Sequence, residues 1–322
     1  MILPITLFIV GLILLIKGGD WFVDGAVGIA HRFHISEILI GATVVSIGTT
    51  LPEVMVSASS AVAGHGEIAY GNAIGSIICN TSLIAAITVA VRPSSIDKKS
   101  LRLPVIFFFI AAVFYSVIAC TSGFFSRITG AILLAMFAAY MIISVAKTKT
   151  LPTEATEQKE EEKSDHSIVK DIILLLIGVA LIAVGADLLV DNGIIIAQEF
   201  GVPESVIALT FVALGTSLPE LVTSITSLVK GHGALSLGNV IGANLFNLVL
   251  VSGVSTVLSP FAIPNNSQIA GINTSLLVDV PVMFIVMSLL VLPALIRGKL
   301  SRVQGIILLA IYMGFCIFQF TL

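Results

Sequence analysis

Apolar residues in this chain run in long unbroken blocks instead of recurring at the spacing of one helix face. Ten such blocks can be drawn, at 3–30, 36–62, 67–91, 101–121, 126–146, 168–199, 204–229, 234–258, 272–296 and 302–320. Each holds about 20 residues or more, the length at which a helix crosses the hydrocarbon core of a bilayer. The pattern predicts an all-α polytopic membrane protein with ten transmembrane helices. The one strongly polar stretch, Lys147 to Lys170 with Glu160, Glu161 and Glu162 in a row, predicts a solvated linker too short to fold by itself. It divides the chain into a first five-helix repeat (1–146), a linker (147–167) and a second five-helix repeat (168–322). Met1 to Ile16 lacks a basic start and continues into Trp21–Ala30, so it reads as a first span and not as a cleaved signal.

Composition strengthens this reading. Apolar residues make up 57% of the chain and charged ones 11%, where a soluble domain carries about 25%. Cys79, Cys120 and Cys316 all lie in apolar stretches without CxxC spacing, which argues against a disulfide framework or a zinc site. Basic residues set the expected orientation. Arg32, Arg92, Lys98, Lys99, Arg102, the five linker lysines, Lys230, Arg297, Lys299 and Arg302 fall on one side, and only Arg127 on the other. The bias predicts a multi-pass protein of the cell membrane with both termini outside and the linker cytoplasmic. Its expected surroundings are the lipid bilayer. No nucleic-acid partner is expected, and the chain is expected to work as a monomer.

The blocks also repeat. Asp20 matches Asp187, Glu53 matches Glu220, Gly71 matches Gly238 and Asn80 matches Asn247, each pair 167 residues apart. Five spans is an odd number, so the second copy enters the membrane from the opposite side and the repeats are inverted. Such repeats commonly meet at a midplane site on discontinuous helices.

Within the repeat lies Gly48-Thr49-Thr50-Leu51-Pro52-Glu53, copied as Gly215-Thr216-Ser217-Leu218-Pro219-Glu220. A carboxylate at membrane depth is costly and marks a functional position. Proline lacks an amide hydrogen and clashes with the carbonyl four residues back. Both helices should therefore kink or open, freeing carbonyls near Ser46 and Gly48 and near Ala213 and Gly215. With Thr49, Thr50, Thr216, Ser217, Glu53 and Glu220 this is an all-oxygen set, which suits hard cations such as Na⁺ and Ca²⁺. Downstream stand Gly71-Asn72-Ala73-Ile74-Gly75-Ser76 and Gly238-Asn239-Val240-Ile241-Gly242-Ala243, whose glycines suit close helix packing. Ser76 and Asn80 share a helix face, and Asn72 and Asn239 suit packing hydrogen bonds or ligation equally. Because both copies end in asparagine, at 80 and 247, the centre carries two carboxylates, enough for one Ca²⁺ or two Na⁺. Asp20, Asp24, Asp187 and Asp191 read as solvated or capping acids, His65 and His232 as turn residues, and Trp21 as packing. Asp279 has no repeat partner. The residues alone leave open Na⁺/Ca²⁺ exchange, Ca²⁺/H⁺ exchange and a cation channel. An enzyme is disfavoured because no HExxH or Ser/His pair lies at membrane depth, and no cofactor is expected.

On the paired Gly-Thr-Ser/Thr-Leu-Pro-Glu motifs and the Gly-Asn-x-x-Gly helices after them, the sequence resembles the cation/calcium exchanger superfamily, most of all its prokaryotic sodium/calcium antiporters. The resemblance spans nearly the whole chain. It implies helices 2, 3, 7 and 8 around four cation sites, with helices 1 and 6 sliding across them to alternate access. It implies Glu53 and Glu220 as shared Ca²⁺ and Na⁺ ligands. It adds the hydroxyls of Thr49, Thr50, Thr216 and Ser217, the carbonyls of Ser46 and Ala213, and Ser76, Asn80 and Asn247 in the central layer. Potassium-dependent relatives use an acid where Asn247 stands, and the calcium/proton branch carries an acid in its Gly-Asn helix. Neither is present here, so K⁺-dependent and H⁺-coupled exchange are the alternatives to Na⁺/Ca²⁺ antiport. Ala243 stands where relatives commonly have serine.

Overall fold

The computed structural model describes residues 2–93, 96–148, 168–200, 215–264, 268–269 and 271–321. Most of the expected linker, the first half of the seventh span and Ala213 lie outside the described residues. Among them are nine helices long and apolar enough to cross a membrane, and one shorter apolar helix. In chain order they are α1 (Ile2–Arg32), α2 (Glu37–Val62), α3 (Gly66–Val91), α4 (Lys98–Thr121), α5 (Arg127–Thr148) and α6 (Ile168–Glu199). The shorter helix α7 (Leu218–Val229), then α8 (Gly233–Leu258), α9 (Ser275–Arg297) and α10 (Arg302–Thr321), complete the set. The protein is an all-α multi-pass membrane protein.

Helix boundaries follow local chemistry. Ser36 caps α2, accepting at Oγ from the Leu39 amide, and Asp97 caps α4 by accepting from the amides of Lys99 and Ser100. Gly298, at φ 68°, ends α9 in the left-handed conformation that favours glycine. The ninth helix starts at Ser275, three residues later than the apolar pattern suggests. Ile272–Asn273 instead form a strand, β4, that pairs antiparallel with β3 (Gln268–Ile269).

Burial separates an inner group of helices from an outer one. In its most apolar stretch α8 is 83% buried, α3 72% and α2 67%, against 22% for α1 and α6 and 11% for α10. The outer helices turn isoleucines and leucines outward, among them Ile9, Ile16, Ile106, Ile142, Leu176 and Ile306. No aqueous solvent rewards that arrangement, whereas hydrocarbon does.

The outer helices α1 and α6 lie antiparallel along a row of small residues. A Cβ on Gly11 would sit 2.8 Å from the Gly185 carbonyl oxygen, and one on Gly18 2.9 Å from that of Gly178. One on Gly25 would come within 2.5 Å of the Asp171 carbonyl oxygen. The contacts step by seven residues on both helices, so the row holds along two turns at a time. Gly11 and Gly178, and Gly18 and Gly185, are themselves related by the 167-residue offset. The repeat thus builds its own partner surface.

Basic and acidic side chains gather at one end of the bundle. Arg32 Nε lies 3.6 Å from Asp171 Oδ2, and Lys230 Nζ lies 2.7 Å from Asp24 Oδ1 and 3.5 Å from Asp20 Oδ1. His232 Nδ1 is 2.7 Å from Glu37 Oε1. Lys98 Nζ donates to the Ile296 carbonyl at the end of α9. The other end is tied by β1 (Phe124–Phe125) pairing with β2 (Phe261–Ala262), beside a cluster of Tyr70, Tyr115, Phe125 and Phe261.

If the glycine row sets the approach of α1 to α6, G18A and G178A should each lower the thermal midpoint, at a cost of about 1–3 kcal/mol from overpacking. Gly314 is exposed on α10, and G314A should leave the midpoint within error. Equal midpoints for all three variants would refute the role of the row.

Candidate cation site

The first copy of the repeated motif lies on α2, and its local backbone departs from the expectation. Instead of opening at Pro52, the helix runs in α form from Ser46 through Pro52 to Val62. The irregularity sits one turn earlier, as a π-segment at Gly41–Val45. Proline still leaves the Gly48 carbonyl without its amide partner. Carbonyls in that segment find other donors. The Gly41 oxygen accepts from Ser46 Oγ at 2.7 Å, and the Ala42 oxygen from Tyr140 Oη at 2.8 Å. The second copy does break: Thr216 and Ser217 form a turn, and α7 begins at Leu218 with Pro219 in its first turn. The predicted opening is therefore found in the second half and replaced by a π-segment in the first.

Glu53 and Glu220 are fully buried, and the two carboxylates lie close enough to act on each other. None of their four oxygens has a hydrogen-bond partner among the described residues. Thr49 lies against Glu220. Ser46, Thr49, Thr50, Ser76, Asn80, Ser217 and Asn247 are all buried as well, while Thr216 is half-buried. The hydroxyls of Thr50 and Ser217 and both side-chain polar atoms of Asn80 and of Asn247 are unpartnered among the described residues. A buried polar group without a partner costs about 1–3 kcal/mol, and a charged one more. Together these groups, most of them oxygens, make a candidate cage of the kind that suits a hard cation.

Two asparagines organise the cage. Asn239 on α8 accepts at Oδ1 from Thr49 Oγ1 at 3.2 Å, and its carbonyl oxygen lies 2.9 Å from Ser46 Oγ, an alternative to Gly41 as acceptor of that hydroxyl's one proton. Asn72 on α3 accepts at Oδ1 from Thr216 Oγ1 at 3.3 Å and donates from Nδ2 to Ser57 Oγ at 2.8 Å. The two Thr–Asn bonds are related by the 167-residue offset, and each joins one half of the chain to the other. A threonine that spends its proton on an asparagine keeps its lone pairs for a cation. Of the two roles open for Asn72 and Asn239, the geometry favours the hydrogen bond.

The repeat-related glycines serve the same contact. A Cβ on Gly238 would lie 2.3 Å from the Ile38 carbonyl oxygen, and one on Gly242 2.3 Å from Ser46 Oγ. A Cβ on Gly71 or Gly75 would meet nothing within 4 Å among the described residues. Gly48 has a second use: it lets the Phe22 ring of α1 pass, 3.0 Å from where a Cβ would be.

Several features escaped the sequence reading. π-Segments begin at Asn80 (Asn80–Ala85) and at Asn247 (Asn247–Val251), again 167 residues apart. Such segments recur at functional sites, but no residue type announces them. On α7, Thr223, Ser224 and Ser227 follow Glu220 at i+3, i+4 and i+7, fully buried with unpartnered hydroxyls. Their helical spacing was the available signal. The turns at His65 and His232 match the reading, each following a glycine at φ near 90°, but the His232–Glu37 contact was not foreseen. Asp20 and Asp24, read as solvated acids, pair with Lys230. No group of three or more His, Cys, Asp and Glu side chains gathers among the described residues, in keeping with a set dominated by neutral oxygens.

Comparison with known proteins agrees with this architecture. The model of the family described as "Sodium/calcium exchanger protein" matches residues 3–146 and 170–321. The uncharacterized membrane protein MJ0091 of Methanocaldococcus jannaschii is 36% identical over 97% of both chains. The sodium/calcium exchanger MaX1 of Methanosarcina acetivorans is 29% identical over 98% of this chain and 97% of its own. A solved structure of the sodium-calcium exchanger NCX_Mj, soaked with Na⁺ and Sr²⁺, superposes with a TM-score of 0.81 at 35% identity over 97% of both chains. A fully buried pair of glutamates in a membrane-embedded oxygen cage, a family match over both halves and a shared fold along nearly the whole chain lead to one conclusion: the chain belongs to the sodium/calcium exchanger family.

Proposed function

We propose that the protein is a secondary antiporter that exchanges Na⁺ for Ca²⁺ by alternating access at a midplane site built around Glu53 and Glu220. The observation that carries this reading is the pair of carboxylates, fully buried and without a hydrogen-bond partner among the described residues. Two unpaired anions in a low dielectric demand about two positive charges. One Ca²⁺ or two Na⁺ meets that demand, and both at once exceed it. Competition for a fixed charge is what couples the two ions. Family membership supports the same ions, because the similar NCX_Mj was soaked with Na⁺ and Ca²⁺.

Thr49, Thr50, Thr216, Ser217, Ser76, Asn80 and Asn247 would complete the ligand set with neutral oxygens, together with the backbone at Ser46 and Ala213. Asn72 and Asn239 hold the two threonines in register from across the repeat. Residues 1–146 and 168–322 would be the two inverted halves. The basic end of the bundle, with Arg32, Lys98 and Lys230, would face the cytoplasm together with the linker, leaving both termini outside. The hydroxyl face of α7 below Glu220 runs toward that end. The row of small residues between α1 and α6 lets the two helices move as one unit past Gly48.

In liposomes, calcium uptake should require an opposing sodium gradient. Uptake driven by a pH gradient without sodium would instead favour Ca²⁺/H⁺ exchange, a requirement for K⁺ the potassium-dependent alternative, and uncoupled flux at channel rates would exclude antiport. E53Q and E220Q should each reduce calcium flux at least ~100-fold, since stranding one member of a buried charged set costs about 3–5 kcal/mol. Near-normal flux in either variant, at equal protein per liposome, would remove that glutamate from the site. N72A and N239A should be milder. Losing one oriented hydroxyl is worth about 1 kcal/mol, so the half-saturating calcium concentration should rise about fivefold while maximal flux is retained. Loss of maximal flux with unchanged half-saturation would contradict the positioning role.

A further inference from the structure

A second acid lies at membrane depth away from the glutamates. Asp279 ends a π-segment, Ser275–Asp279, that opens α9. It has no counterpart in the first half, where the 167-residue offset falls on Ala112. Gln319 of α10 donates from Nε2 to Asp279 Oδ1 at 2.8 Å, and no described basic side chain pairs with it. Asp279 faces a crevice of about 260 Å³ lined also by Tyr70, Thr274, Ser275 and Gln319. Thr274 is 4% exposed and Tyr70 1%, and the hydroxyl of each is without a hydrogen-bond partner among the described residues. The crevice opens at the end of the bundle that carries the β1–β2 pair, one to two helical turns below the Gly64–Gly66 turn, and is separate from the Glu53–Glu220 cage.

These groups make a cation site of a different kind from the central one. One carboxylate supplies a single negative charge. Thr274, Ser275 and Tyr70 supply hydroxyl oxygens, each of which keeps lone pairs for a cation even while donating its proton. An all-oxygen set suits a hard cation. A single charge at the half-buried Asp279 balances a monovalent ion, whereas Ca²⁺ would leave one charge uncompensated. We propose that Asp279, with Thr274, Ser275 and Tyr70, binds one monovalent alkali cation in a site separate from the central one. The site does not depend on which ions the central cage exchanges.

The test is cation-dependent thermal unfolding of the purified full-length E53Q/E220Q variant, in which the central charges are gone. The midpoint should rise with the logarithm of concentration when choline chloride is replaced by NaCl or KCl at constant ionic strength, and the two salts show which alkali ion fits. Adding D279N to that background should abolish the rise, and T274V should shift it to higher concentration. No rise in E53Q/E220Q, a rise that survives D279N, or a response to CaCl₂ alone would overturn the proposal. Should E53Q/E220Q not elute as a single folded species, sodium binding is counted by calorimetry on the unaltered chain and on D279N. D279N should then bind one sodium fewer, and an equal count would overturn the proposal.

Discussion

Two ionisable carboxylates without hydrogen-bond partners among the described residues sit fully buried inside the molecule, and much of the remaining architecture makes that tolerable. A buried anion is kept only where the surroundings compensate it. Here Glu53 and Glu220 come from opposite halves of the chain and lie close enough to act on each other, so in the proposed site a single charge-balancing event would serve both. The cage is held together by hydrogen bonds that cross between the halves, from Thr49 to Asn239 and from Thr216 to Asn72. These bonds also decide what the threonines can offer. A hydroxyl free to rotate presents either a proton or a lone pair, whereas one tied to an asparagine carbonyl presents lone pairs.

The backbone cooperates through its irregularities. Three π-segments, at Gly41–Val45, Asn80–Ala85 and Asn247–Val251, lie on the three most buried long helices. Each widens a turn and redirects carbonyls. In hydrocarbon this is permissible only where other groups satisfy them, as Tyr140 and Ser46 do around the first segment. The outer helices show the opposite economy. α1 and α6 are regular, long and mostly lipid-facing, and they meet along small residues spaced seven apart. A smooth outer pair against a polar, irregular core is a division of labour suited to motion of one past the other.

The two halves are not equal. The first motif keeps its helix through Pro52 while the second breaks before Pro219. Asn72 bonds Ser57, but the amide nitrogen of Asn239 and the hydroxyl of Ser224, the repeat-related atoms, are both unpartnered. Lys230 ties the end of α7 to Asp20 and Asp24, while the offset from Lys230 falls on Ala63. The proposed alternating access, which presents one site to two different solutions, does not require identical halves.

The sequence by itself determined the number and approximate limits of the spans, because lipid exposure demands long apolar blocks whatever surrounds them. It also carries the repeat and points to the acids and hydroxyls of the proposed site, since a carboxylate and a proline in register are rare in such blocks. Only the tertiary structure decided how those residues act on one another. The Thr49–Asn239 bond joins positions 190 residues apart, and nothing local to either residue encodes it. The same holds for the pairing of Lys230 with Asp24, the close passage of Phe22 over Gly48, and the crevice that gives Asp279 its oxygen neighbours. Span and motif are properties of short segments and of period, and so can be read along the chain. Which oxygen faces which, and which turn of a helix yields at a proline, depends on how neighbouring helices fit together, and that is settled only when they pack.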